Sequence, residues 1–154
     1  MTEAMTAAER LIAAAGSVVV VDWPSRDLPE ALARAGIVVF VKGGPEPQAY
    51  SVWEVRDGQV VARPAGAPPE RADLVYAHRP LAELPGLVAL ARSLGATAVW
   101  IQSGRAADGT RDPRGCWLAA DQARAAHEIV ESAGLVCVHD TYLADAIRRP
   151  DTGR

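Results

Sequence analysis

The sequence predicts one α/β domain over residues 1–154: a mainly parallel five-stranded sheet flanked by helices, with an inserted β-hairpin. Three observations point there. Five short runs, Val18 to Val21, Ile37 to Val41, Leu74 to Ala77, Ala98 to Ile101 and Leu135 to Val138, are continuously apolar and rich in Val and Ile. Continuous runs suit strands covered on both faces, as in a parallel sheet between helices. Three of the runs follow a glycine, in Ala33-Arg34-Ala35-Gly36, Arg92-Ser93-Leu94-Gly95 and Glu131-Ser132-Ala133-Gly134. A glycine at that position ends a helix by taking a positive φ, so each junction reads as helix, turn, strand. Finally, 154 residues with 49% apolar and 23% charged side chains suit a single globular core.

The elements follow in order. Residues 1–16 are Ala-rich with Glu3, Glu9 and Arg10, which suits a short helix and lacks the basic start and long apolar run of a signal peptide. Asp27-Leu28-Pro29-Glu30 opens a helix, with Asp27 as cap, Glu30 reaching back and Pro29 tolerated in the first turn. Tyr50 to Val55 and Gln59 to Arg63 flank Asp57-Gly58, a two-residue hairpin signal that defines the insertion 50–63. Pro64 to Arg71 is loop by composition. Pro85 starts a helix that turns Leu87, Val88, Leu90, Ala91 and Leu94 to the sheet. A helix over Ala119 to Ala133 carries Ala126, Ile129, Val130 and Ala133 on one stripe, and Tyr142 to Arg148 suits a short closing helix.

Composition excludes some functions. With a net charge of -3 there is no basic field to neutralise a run of phosphates, so nucleic acid is not the expected partner. The apolar runs are far shorter than the roughly 20 residues of a membrane span. The two cysteines, Cys116 and Cys137, lack the spacing of a zinc site or a disulfide framework, which suits a reducing compartment. A cytoplasmic, bacterial protein is expected. Lys42 is the only lysine in a chain whose other basic residues are arginines.

Ligands of open parallel sheets collect beyond the carboxyl ends of the strands. Here those ends are Asp22 to Asp27, Lys42 to Pro45, Ala77 to Pro80, Gln102 to Cys116 and His139 to Tyr142. The second is informative. An NAD domain places an acid near this position to bind the ribose 2′-OH, whereas this chain has Lys42-Gly43-Gly44, which suits a phosphate and disfavours NAD. The alternative is a solvated lysine before a plain turn. In the first loop, Ser25, Arg26 and the helix N-terminus would attract an anion, while Asp22 and Asp27 would repel it. His78 and the His139-Asp140 pair have no accompanying nucleophile motif and suit structural roles better than catalysis. Arg111 and Arg114 could favour a thiolate at Cys116, although a cysteine is more often a small apolar residue. His127 reads as surface and Trp100 as core; Trp23 and Trp117 could stack on an adenine or cover apolar surface.

Arg79-Pro80 after a strand, a Pro-started helix, the stretch from Gly95 through Trp100-Ile101-Gln102 to Gly104, and Ala133-Gly134-Leu135 before a strand ending at Asp140 together resemble the CoA-binding protein family. The fold is that of the Rossmann-type nucleotide-binding domain of the succinyl-CoA synthetase alpha subunit. The resemblance spans roughly Ser17 to Arg149 and is most specific around Trp100-Ile101-Gln102. It implies a non-catalytic protein that binds CoA, an acyl-CoA or another nucleotide-like small molecule. Ser25 and Arg26 would lie near the pyrophosphate, Lys42, Gly43 and Gly44 at a phosphate, and Arg79, Pro80, Gln102 and Gly104 along the cleft. No catalytic or metal-binding residue is implied, and a homo-oligomer is compatible with the pattern. Two features depart from the family: the first loop, Asp22 to Asp27, has no glycine, and a hairpin and a long loop after Gly104 are added. They keep two alternatives open, a Rossmann scaffold that serves protein assembly and an NADP-dependent or acyl-transferring enzyme using His139, Asp140 or Cys116.

Overall fold

The computed structural model describes residues 7–21, 27–42, 50–65, 67–77, 81–101, 120–138 and 146–147. In chain order they form α1 (Ala7–Ala14), β1 (Ser17–Val21), α2 (Asp27–Arg34), β2 (Val38–Lys42), β3 (Tyr50–Arg56), β4 (Gln59–Pro64), β5 (Leu74–Ala77), a 3₁₀ turn (Leu81–Glu83), α3 (Leu84–Ser93), β6 (Ala98–Ile101), α4 (Ala120–Ser132) and β7 (Val136–Val138). All five apolar runs are strands. The three glycine junctions also form as expected, with φ of 87° at Gly36, 71° at Gly95 and 82° at Gly134.

The sheet has seven strands in the order β4-β3-β2-β1-β5-β6-β7, not five. Strands β2, β1, β5, β6 and β7 are parallel, and the hairpin supplies the other two. The hairpin does not project as an insertion: β3 pairs antiparallel with β2, setting Val39 opposite Trp53 and Phe40 opposite Val52. The reason lies in side chains that a projecting hairpin would leave wet. Val52 and Trp53 are buried, and their strand satisfies the N–H and C=O groups that β2 would otherwise expose as an edge. Asp57 at φ 53° and Gly58 at φ 80° make the mirror-image turn that the right-handed twist of a hairpin favours.

Alternation along the buried strands divides the core in two. Val18 and Val20 of β1, Val39, Leu74, Tyr76, Ala98 and Trp100 face one side, where Ala8 and Ile12 of α1 and Leu28, Leu32 and Ala33 of α2 cover them. Val19, Val21, Val75, Ala77, Val99 and Ile101 face the other, beneath Leu84, Leu87, Val88 and Ala91 of α3 and Ala126 and Val130 of α4. Among the described residues Trp100 and Tyr76 are the largest fully buried side chains, and burying each aliphatic residue contributes about 1.5–3 kcal/mol.

The helix stripes need one correction. Ala123, Ala126 and Val130 are buried in α4, but Ile129 is exposed. Three side chains stepping by three and four already fill the contact line, and Ile129 falls a full helical position away from it. In α3 the expected residues face the core, with Leu90 only half-buried. Of the proposed closing helix, Ala146 is helical and buried, and Ile147 packs on the α1–α2 side; residues 142–145 and 148 lie outside the described residues.

Both sheet edges are blunted. The strand β4 is mostly exposed and ends in Pro64. On the other side β7 has only three residues, and the N–H of Val136 donates inward to the Thr97 carbonyl at 3.0 Å. By alternation the N–H of Cys137 faces outward, where it donates to a Glu131 carboxylate oxygen at 3.4 Å.

Candidate functional site

The carboxyl ends of the parallel strands form a level row. Val21 of β1 is in register with Lys42 of β2 on one side and with Ala77 of β5 on the other, and Ala77 is in register with Ile101 of β6. From β1 the chain returns through α2 on one face of the sheet, whereas from β5 it returns through α3 on the opposite face. The strand order therefore reverses between β1 and β5. Connections that diverge in this way leave a crevice over the carboxyl ends, here above Val21 and Ala77, where ligands of open α/β sheets bind.

Lys42 is the one residue of the sequence-derived site among those described. It is the last residue of β2, half-buried, and no carboxylate pairs with it among the described residues. Ser25, Arg26, Gly43, Gly44, Arg79, Pro80, Gln102 and Gly104 lie outside the described residues. So do Trp23, His78, Cys116, Trp117, His139 and Asp140. In sequence they fall in the segments following Val21, Lys42, Ala77, Ile101 and Val138.

Tyr50 was not among the residues that sequence reasoning singled out. In the sheet it stands directly opposite Lys42, on the same face, at the start of β3. It is 6% exposed and belongs to the cluster that contains Val21, Ala77 and Ile101, the row itself. Its carbonyl accepts from the Ala65 N–H at 2.9 Å, and its hydroxyl has no hydrogen-bond partner among the described residues. Burial pushes the phenol above its ordinary pKa, so it stays protonated and able to donate at neutral pH.

Elsewhere the candidates fall away from the row. His127 is exposed on α4, with Nε2 3.7 Å from a Glu131 carboxylate oxygen, in line with its surface reading. Cys137 is buried and is not in a disulfide. It lines an apolar groove of about 470 Å³ between α1 and β7, at the edge of the sheet rather than over the row. Trp53 donates from Nε1 to the Ser51 hydroxyl at 3.0 Å and serves the hairpin. Among the described residues no cluster of His, Cys, Asp and Glu could hold a metal ion, and no helix is long and apolar enough to cross a membrane.

A mainly parallel sheet with helices on both faces and a crevice at the strand-order reversal defines a Rossmann-like ligand-binding fold. The chain belongs to the CoA-binding domain family, whose model matches residues 10–145. It is also similar in structure to a redesigned protein, Prb, described as the PH1109 protein redesigned for binding. The TM-score is 0.58 at 15% identity, over 95% of this chain and 92% of that one, a likeness of fold. A protein of unknown function from Methanothermobacter thermautotrophicus aligns over 91% of this chain and 90% of its own, with 12% identity and a TM-score of 0.46. No curated protein is matched.

Proposed function

We propose that this chain is a non-catalytic binding protein for CoA or an acyl-CoA, acting as one domain in the cytosol. The observation that carries the reading is the position of Lys42, a cation with no carboxylate partner among the described residues, at the carboxyl end of β2 in a chain of the CoA-binding domain family. A cation there suits a phosphate, and repels nothing that CoA presents. In this reading Ser25 and Arg26 meet the pyrophosphate, Gly43 and Gly44 allow close approach beside Lys42, and Arg79, Pro80, Gln102 and Gly104 line the cleft. Because the first loop has no glycine, side chains rather than backbone N–H groups carry phosphate recognition, so binding is salt-sensitive.

Ligand titrations of thermal stability test this directly, since a ligand stabilises the folded state according to its affinity. CoA is expected to stabilise more than NADP, and NADP more than NAD. Lys42→Ala should weaken CoA binding about tenfold or more, the share of one charge-assisted contact. Arg34→Ala, in the last turn of α2 and away from the row, serves as the control. A preference for NAD, or equal binding by Lys42→Ala and wild type, would overturn the reading. The missing glycine favours a second reading, a ligand-free scaffold, and the absence of any nucleotide response from a stable homo-oligomer would select it. Consumption of NADPH or hydrolysis of acyl-CoA would select an enzyme instead.

A further inference from the structure

Lys42 and Tyr50 stand directly opposed on β2 and β3, and neither the ammonium nor the hydroxyl has a partner among the described residues. Directly opposed residues of an antiparallel pair have Cβ atoms roughly 4.5–5.5 Å apart, within reach of one small ligand group. A buried tyrosine ordinarily finds a partner for its hydroxyl, because an unpartnered one forfeits its hydrogen bonds to water. Packing alone would be served by phenylalanine, since the neighbours of Tyr50 in its cluster are apolar. The carboxyl end of the second strand is where Rossmann-type sites meet the ribose edge of a nucleotide: an acid there reads a free hydroxyl, and a cation admits a phosphate.

We propose that Tyr50 and Lys42 form a subsite for a phosphomonoester on the ribose of the bound nucleotide, the Tyr50 hydroxyl donating to a phosphate oxygen and Lys42 supplying the charge. The proposal rests on the nucleotide-binding reading above and deepens it by naming the group recognised. CoA carries such a phosphate on its ribose 3′ position and dephospho-CoA does not. Recognition is thus a preference between two ligands that differ by one group. The hydrogen bond adds direction to a contact that Lys42 alone would make without it.

The test is calorimetric titration of wild type, Tyr50→Phe, Lys42→Ala and Tyr76→Phe with two pairs of ligands: CoA against dephospho-CoA, and adenosine 3′,5′-bisphosphate against adenosine 5′-monophosphate. Wild type should prefer the 3′-phosphorylated member of each pair. Tyr50→Phe should lose about tenfold of that preference, the size expected for a hydrogen bond to a charged group, with affinity for the other member unchanged. The same variant, without ligand, should melt at or above the wild-type temperature, because it removes a buried hydroxyl that has no partner among the described residues. A purely structural tyrosine would not show that combination. Tyr76→Phe, a fully buried tyrosine on the opposite face, should leave the preference intact. An unchanged preference in Tyr50→Phe, or no preference in wild type, would overturn the subsite while leaving CoA binding standing. Tyr50-dependent binding of the bisphosphate without binding of CoA would uphold the subsite and overturn the CoA reading. Absence of binding by all four ligands would overturn both.

Discussion

The carboxylate of Asp73 accepts hydrogen bonds from two consecutive backbone N–H groups, Gly16 at 2.7 Å and Ser17 at 3.1 Å, and so ties the start of β5 to the start of β1 across the centre of the sheet. The tie is reciprocal, since the Asp73 N–H donates to the Ser17 hydroxyl at 3.3 Å. Asp73→Ala would leave both N–H groups to water, which reaches this exposed end. A loss of about 0.5–1.5 kcal/mol is expected, visible as a lower denaturant midpoint with an unchanged slope. Because the tie lies at the opposite end of the strands from the candidate site, ligand affinity should not change.

Gly134 joins α4 to β7 at φ 82°, and a Cβ added there would meet nothing within 4 Å. Gly134→Ala therefore isolates the backbone term. The expected cost is about 1–2 kcal/mol, read by equilibrium unfolding. Insensitivity to this substitution would mean that the junction relaxes to negative φ without disturbing β7.

Trp100 is completely buried on β6, on the side of the sheet covered by α1 and α2. Trp100→Ala should cost about 3–5 kcal/mol by the lost transfer of the indole and the cavity left behind. Chemical unfolding followed by circular dichroism would measure it. Trp100→Phe, which keeps part of the volume, should lie between the two.

On the hairpin, Glu54 accepts from Arg63 and Arg56, with Nε donors at 3.2 Å in both cases. The hydrogen bond from Arg63, helped by the charge of Arg56, holds the Glu54 carboxyl below its ordinary pKa. The native state therefore releases this proton more readily than the unfolded chain. The resulting stabilisation is present above the unfolded pKa and is lost as pH falls through the folded one. Melting temperatures from about pH 6 down to about pH 3 should fall less steeply in Glu54→Gln than in wild type. The effect should shrink in high salt, because the cluster is exposed.

Tyr50 acts at the alkaline end. Burial raises its folded pKa, so at high pH the unfolded chain loses the phenolic proton first. Its stabilising contribution is complete below the unfolded value of about 10 and is lost as pH rises through the folded pKa. Melting temperature above about pH 10 should decline less steeply in Tyr50→Phe than in wild type, while the two curves run parallel at neutral pH. Coincident alkaline limbs would show that the phenol ionises as freely folded as unfolded.

What the sequence by itself determined is the set of elements and the end of the sheet to inspect. Continuous Val and Ile runs, Gly36, Gly95 and Gly134 at helix ends, and Asp57-Gly58 in the hairpin are local signals, because burial on both faces and positive φ restrict residue type wherever they occur. Lys42 was legible for the same reason, as a cation following an apolar strand. Tertiary structure alone decided which strands meet. The turn at Asp57-Gly58 sets the register of β3 against β4, but nothing local sets β3 against β2. That pairing follows from burying Val52 and Trp53 on the neighbouring strand, and it is what extends the sheet to seven strands. The same packing exposes Ile129, which helical periodicity had placed at the core, and sets Tyr50 beside Lys42. A pair separated along the chain by a loop carries no spacing to be read: its two members become neighbours only when the hydrogen-bond ladder between their strands closes.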